Sequence, residues 1–103
     1  MDLNMRNRCF LSARIALLGA IGKNVLGISI NIPQPGEKLR MTVYHKDILP
    51  EDEIDALQAA SVEMLSNFYP EIKDDVVEFI KWRGRLLPRK GEYVFLRFGV
   101  GLE

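Results

Sequence analysis

Few side chains in this sequence could carry covalent or proton-transfer chemistry. His45 is the single histidine and Cys9 the single cysteine among 103 residues. His45 is the natural general base near neutral pH. A catalytic role would need a partner such as Asp47 or Ser29, and neither spacing defines a catalytic pair. It closes a strand-like run just before Lys46, so a surface or half-buried strand-end residue is the simpler reading. Cys9 sits in an apolar run with no base at hand, which fits a core thiol. One cysteine also excludes an internal disulfide and a cysteine-based zinc site. The carboxylates Glu51, Asp52, Glu53 and Asp55 lack the alternating oxygen ladder, central glycine and closing glutamate of a calcium loop. Gly19 and Gly22 follow no strand, so they do not form a phosphate-cradling loop. Trp82 with Arg83, Arg85, Arg89 and Lys90 mixes aromatic and basic groups as single-strand binders do. Against that stands a formal net charge of zero, with 14 basic and 14 acidic side chains. The residues therefore predict no catalytic group, no metal ligand set and no cofactor, and hence no enzyme.

Binding is what remains, and the charge distribution says where to look. Residues 1–46 hold seven basic and two acidic side chains, and residues 79–103 hold six and two. Between them, residues 47–78 hold one basic side chain, Lys73, against ten acidic ones. Such a block creates a potential that attracts a cationic partner and speeds encounter, unless the fold lays the basic flanks alongside it. The candidate contact residues are Glu51, Asp52, Asp55, Glu63, Asp74, Asp75 and Glu78. Tyr44 and Tyr93, on the wetter faces of their strands, are candidate aromatic anchors.

The elements that must position these residues follow from periodicity. The length fits one domain, residues 1–103, and an apolar share of 48% with 27% charged residues is that of an ordinary globular chain. Disorder and a membrane span are both poor readings of that composition. The run from Cys9 to Ile21 has helical spacing at Leu11, Ile15 and Leu18. It follows Arg6 and Arg8 but is broken by Arg14 and lacks a small-x-small cleavage site, so it does not read as a signal peptide. With the lone thiol, this predicts a cytoplasmic protein. In Val25 to Ile32, Leu26, Ile28, Ile30 and Ile32 alternate with Val25, Gly27, Ser29 and Asn31. Pro33 to Gly36 is a turn signal, and Leu39, Met41 and Val43 then alternate with Arg40, Thr42 and Tyr44, which predicts a hairpin. Residues 50–68 predict a helix opened by Pro50 and by carboxylates that suit its positive end. Its buried stripe is Ile54, Leu57, Ser61, Met64, Leu65 and Phe68. Its outer face is Asp52, Asp55, Gln58, Ala59, Val62, Glu63 and Ser66. Pro70 stops it. Asp75 to Trp82 and Tyr93 to Phe98 predict two further strands, joined by a basic connection from Gly84 to Gly91. The expected fold is α+β: one two-layer domain in α-β-β-α-β-β order, with a four-stranded, mostly antiparallel sheet and two helices on one face.

Four segments carry a resemblance. They are Leu17 to Asn24 (LLGAIGKN), the strand Val25 to Ile32, Met41 to Glu53 (MTVYHKDILPEDE) and Gly91 to Phe98 (GEYVFLRF). Together they resemble small bacterial immunity proteins of polymorphic and contact-dependent growth inhibition toxin systems. The resemblance implies a non-enzymatic inhibitor that binds and neutralises a cognate toxin domain, often a nuclease, and so blocks its access to substrate. A nuclease surface is positive because it must hold phosphates, so the acidic residues above would match that role. The neutral overall balance departs from the strongly acidic composition of a simple nucleic-acid mimic. Two alternatives stay open from the residues: a module that self-associates through an open sheet edge, and a small nucleic-acid-binding domain built on Trp82 and the 83–90 connection, which the neutral charge disfavours.

Overall fold

A computed structural model describes residues 8, 11, 13, 14, 16, 17, 19–31, 34, 36–68 and 70–103. The expected hairpin is present. Strand β1 (Val25–Asn31) runs antiparallel to β2 (Leu39–His45), with Val25 opposite His45 at one end and Asn31 opposite Arg40 at the other. The chain then forms helix α1 (Glu51–Ser66) and returns as β3 (Asp75–Lys81). A helical crossover carries the chain back to the end at which the previous strand began, so the next strand runs parallel to it. Accordingly β3 pairs in parallel with β2, from Leu39–Asp75 to His45–Lys81. Three shorter strands follow: β4 (Leu86–Leu87), β5 (Glu92–Leu96) and β6 (Gly101–Leu102). Strand β5 lies antiparallel on the far side of β1, giving the order β3-β2-β1-β5, while β4 and β6 form a separate parallel pair.

This overturns the expected α-β-β-α-β-β fold with two helices on one face. Among the described residues one helix is delimited, six strands make two sheets, and the four-stranded sheet is mixed. The two late strands do not pair with each other but take opposite edges. Of the expected first helix, Cys9 to Ile21, the residues Cys9, Phe10, Ser12, Ile15 and Leu18 lie outside the described residues. Of those described, Leu11, Ala13, Arg14 and Ala16 have helical backbone, and Ala13, Ala16 and Leu17 are buried.

Both faces of the sheet are covered. On one face Ile28, Ile30, Leu39, Met41 and Val43 pack with Leu57, Ala60 and Met64 of α1 and with Phe68 and Ile72 beyond it. Each fully buried side chain of this size contributes about 1.5–3 kcal/mol relative to its exposed state. On the opposite face Leu26, Tyr44 and Leu87 form a second cluster, joined by Ile80, Trp82, Tyr93, Val100 and Leu102. A strand covered on both sides has no reason to alternate, which explains the irregular pattern of Asp75 to Trp82. Leu26 does not share a face with Ile28 and Ile30 as strict alternation predicts. The β1–β2 register shifts between Val25 and Gly27. Such a bulge adds a residue to one strand and changes the phase of its side chains. Val25 therefore joins the helix-side core and Leu26 the other cluster.

Candidate binding surfaces

Helix α1 begins at Pro50, whose extended backbone (φ −60°, ψ 149°) turns the chain into the first helical residue without a side-chain cap. Glu51, Asp52 and Glu53 take the first turn, where the macrodipole favours negative charge. Leu57, Ala60, Ser61 and Met64 face the core, so the opposite stripe is turned outward. Asp52, Asp55, Gln58, Ala59, Val62, Glu63 and Ser66 are all exposed there, and so is Glu51. None of Glu51, Asp52, Asp55 or Glu63 takes part in the ion pairs found among the described residues. Glu53 is different. Its carboxylate fills the space beside Gly22, where even a methyl group would overlap its Oε1, and its Oε2 is buried without a hydrogen-bond partner. It holds the start of the helix against the loop before β1.

The other acidic candidates are engaged within the fold. Lys38 Nζ lies 3.4 Å from Asp74 Oδ2, and Arg40 Nη1 donates to Glu78 Oε1 at 3.1 Å. These pairs are exposed and contribute little to stability, but they locally cancel the negative field. Ser61 Oγ, buried on α1, donates to Asp75 Oδ2 at 2.7 Å and ties the helix to the start of β3. The acidic block is thus divided: its strand portion meets cations or a hydroxyl, and its helix portion faces outward.

Tyr44 and Tyr93 lie together within the second cluster. Tyr44 is buried, with Trp82 edge-on to it at 5.6 Å between ring centroids and Tyr93 tilted against it at 6.2 Å. Trp82 Nε1 donates to the Leu86 carbonyl at 3.0 Å, and the Tyr93 hydroxyl to the Pro88 carbonyl at 2.7 Å. Burial, then the neighbouring Tyr44 and Glu103, push the ionisation of the Tyr93 phenol well above its ordinary range. These rings pin the 86–88 segment to the sheet. Tyr44 has too little surface to anchor a partner.

At the end of the sheet where β2, β3 and β5 finish, the structure opens a cleft of about 800 Å³. Lys46, Lys81, Arg83, Arg85 and Arg97 line it, with Asp47, Trp82 and Phe98. Arg97 is held in place: its Nε donates to the Val25 carbonyl and its Nη2 to the Gly22 carbonyl, both at 2.7 Å. Its guanidinium also stacks 5.3 Å from the Phe95 ring centroid. Sequence reasoning grouped Trp82 with Arg83 and Arg85 but missed Lys46, Lys81, Arg97 and Phe98. They are far apart in the chain, and only the β2–β3 and β1–β5 pairings bring them to one end.

His45 is buried, and its Nδ1 donates to the Asp47 carbonyl at 2.7 Å, a local turn contact. Cys9 lies outside the described residues. Among the described residues no cluster of three or more His, Cys, Asp or Glu could hold a metal ion. No helix among them is long and apolar enough to cross a membrane.

The sequence model of the MafI2 immunity protein family matches residues 6–98, nearly the whole chain. The chain belongs to that family. A search of curated proteins finds no match. As a MafI2 immunity protein it is a toxin immunity protein, in line with the resemblance carried by LLGAIGKN, MTVYHKDILPEDE and GEYVFLRF. The match spans the four-stranded sheet, α1 and β4 and stops short of β6, so the outward acidic helix and the five cations of the cleft lie within the matched residues.

Proposed function

We propose that this MafI2 immunity protein neutralises its cognate toxin by non-covalent binding, with the outward face of α1 as the contact. The toxin surface that fits is basic, as a nuclease's must be to hold phosphates. One observation carries this reading: Glu51, Asp52, Asp55 and Glu63 project from a single rigid helix and have no counter-charge among the described residues. Carboxylates held this way steer a cationic partner and pair with its Lys or Arg on docking. Lys38 and Arg40 neutralise Asp74 and Glu78, and Ser61 holds Asp75, so these three carboxylates serve the fold rather than the contact. Tyr44 and Tyr93 support the sheet behind it.

Affinity capture from the source cell, at low and then raised salt, tests the proposal. It predicts one stoichiometric protein that is lost on Asp52→Lys/Asp55→Lys, is toxic when expressed by itself, and is harmless with the wild-type chain. A toxin captured and neutralised equally by the reversed helix refutes the acidic contact.

A further inference from the structure

The proposed toxin contact leaves the cationic cleft unexplained. Of its five cations, Arg97 is engaged by backbone carbonyls, whereas Lys46, Lys81, Arg83 and Arg85 form no ion pair among the described residues. An occupant must therefore bring carboxylates or phosphates. A long polyanion fits badly, because the acidic first turn of α1 stands next to the cleft. Arg97 donates to the Gly22 carbonyl, and Glu53 of that turn packs against Gly22. Only the four residues from Asp47 to Pro50 separate Lys46 at the cleft from Glu51, the first residue of the helix. One end of the molecule thus presents a positive cleft and a negative turn side by side. Ile48, 83% exposed, lies in the chain between them, and Phe98 stands fully exposed at the cleft.

We infer that this end docks onto a second copy of the chain about a two-fold axis, the first turn of α1 in each copy entering the cationic cleft of the other. A two-fold interface uses the same patch twice, so each feature must meet its neighbour's complement. Adjacent patches of opposite sign satisfy that requirement, whereas a patch of one sign repels itself. Ile48, between the two, falls close to its own symmetry mate, and with Phe98 supplies an apolar centre inside a charged rim. The zero net charge removes the overall repulsion that would oppose pairing. Because the contact is built largely on charge at the surface, the dimer is salt-sensitive. It uses Asp52 and Asp55, so a bound toxin and a second copy exclude each other.

Sedimentation equilibrium of the purified chain, with no toxin present, tests this independently of the immunity reading. The mass is expected to rise with concentration from 11.8 kDa toward twice that value in low salt, and to fall back in salt at about 0.5 M, where screening acts within a few ångströms. Arg83→Glu/Arg85→Glu and Asp52→Lys/Asp55→Lys should each give monomers with unchanged circular dichroism. Mixing the two variants, or combining all four changes in one chain, restores complementarity and should restore dimers. A monomer at every concentration in low salt overturns the inference. So does a dimer that survives both reversals, or a failure of the mixed variants to pair.

Discussion

Gly27 and Leu87 offer a test of the way the second layer seats on the sheet. Gly27 sits at the bulge in β1, and Leu87 is fully buried in β4 across from it. A Cβ built at Gly27 meets Leu87 Cδ1 at 2.6 Å, Leu96 Cδ2 at 3.2 Å and the Phe95 carbonyl oxygen at 3.3 Å. Gly27 is not among the glycines with positive φ, so its backbone suits alanine and the penalty is steric. Gly27→Ala alone should therefore cost about 1–3 kcal/mol, the range for overpacking a filled site. Leu87→Ala removes three carbon groups at about 0.8 kcal/mol each, and the cavity left behind brings the loss to about 3 kcal/mol. In the double variant the new methyl enters the space Leu87 vacates, while the contacts to Leu96 and Phe95 persist. The combined loss should then fall short of the sum by about 1–2 kcal/mol. Urea unfolding followed by the fluorescence of Trp82, the chain's one tryptophan, measures all four proteins. Losses that add to within about 0.5 kcal/mol, as uncoupled sites do, would refute the packing of Leu87 against β1 and with it the second layer.

Tyr93 should make the fold sensitive to alkali. Its phenol ionises at higher pH in the folded chain than the ordinary value of 10.0, so its stabilising contribution is complete below about pH 10 and is lost as pH rises beyond it. The melting temperature should decline above that point, and Tyr93→Phe should flatten the decline, as thermal melts across the alkaline range will show. Arg97→Ala removes the guanidinium donor from the Val25 carbonyl and from the Gly22 carbonyl, which keeps only the longer 3.3 Å bond from the Val25 N–H, and should cost about 1.5–3 kcal/mol, as for hydrogen bonds from a charged group. Arg97→Lys should recover less than half of that loss, because a single ammonium cannot reproduce the two-pronged contact; a melt of Arg97→Lys at the wild-type temperature would contradict this.

Local pattern made part of this architecture legible. The β1–β2 hairpin follows from Leu39, Met41 and Val43 alternating with Arg40, Thr42 and Tyr44. The outer face expected of the helix, from Asp52 to Ser66, is the face the fold exposes. What escaped depends on contacts between distant segments. Leu26 has the alternation of its neighbours, and only the bulge opposite Tyr44 and His45 turns it to the other face. Leu86–Leu87 and Gly101–Leu102 are too short for any period to show, yet they supply the buried Leu87 that covers the second face. The parallel pairing of β3 with β2 decides which acidic residues stay outward. It sets Glu78 beside Arg40 and, with the β3 start, Asp74 beside Lys38. Tyr44 occupies the polar side of its strand by alternation, and is buried because Trp82 and Tyr93 close over it.

The central claim, neutralisation through the outward carboxylates of α1, is tested most directly by the association rate of the purified chain with its captured toxin domain as a function of salt. The account predicts fast association at low salt that slows as salt rises, and a drop of about tenfold or more at low salt on Asp52→Lys/Asp55→Lys, in the range that electrostatic steering supplies. Equal rates and equal salt dependence for the wild-type and reversed chains would contradict it.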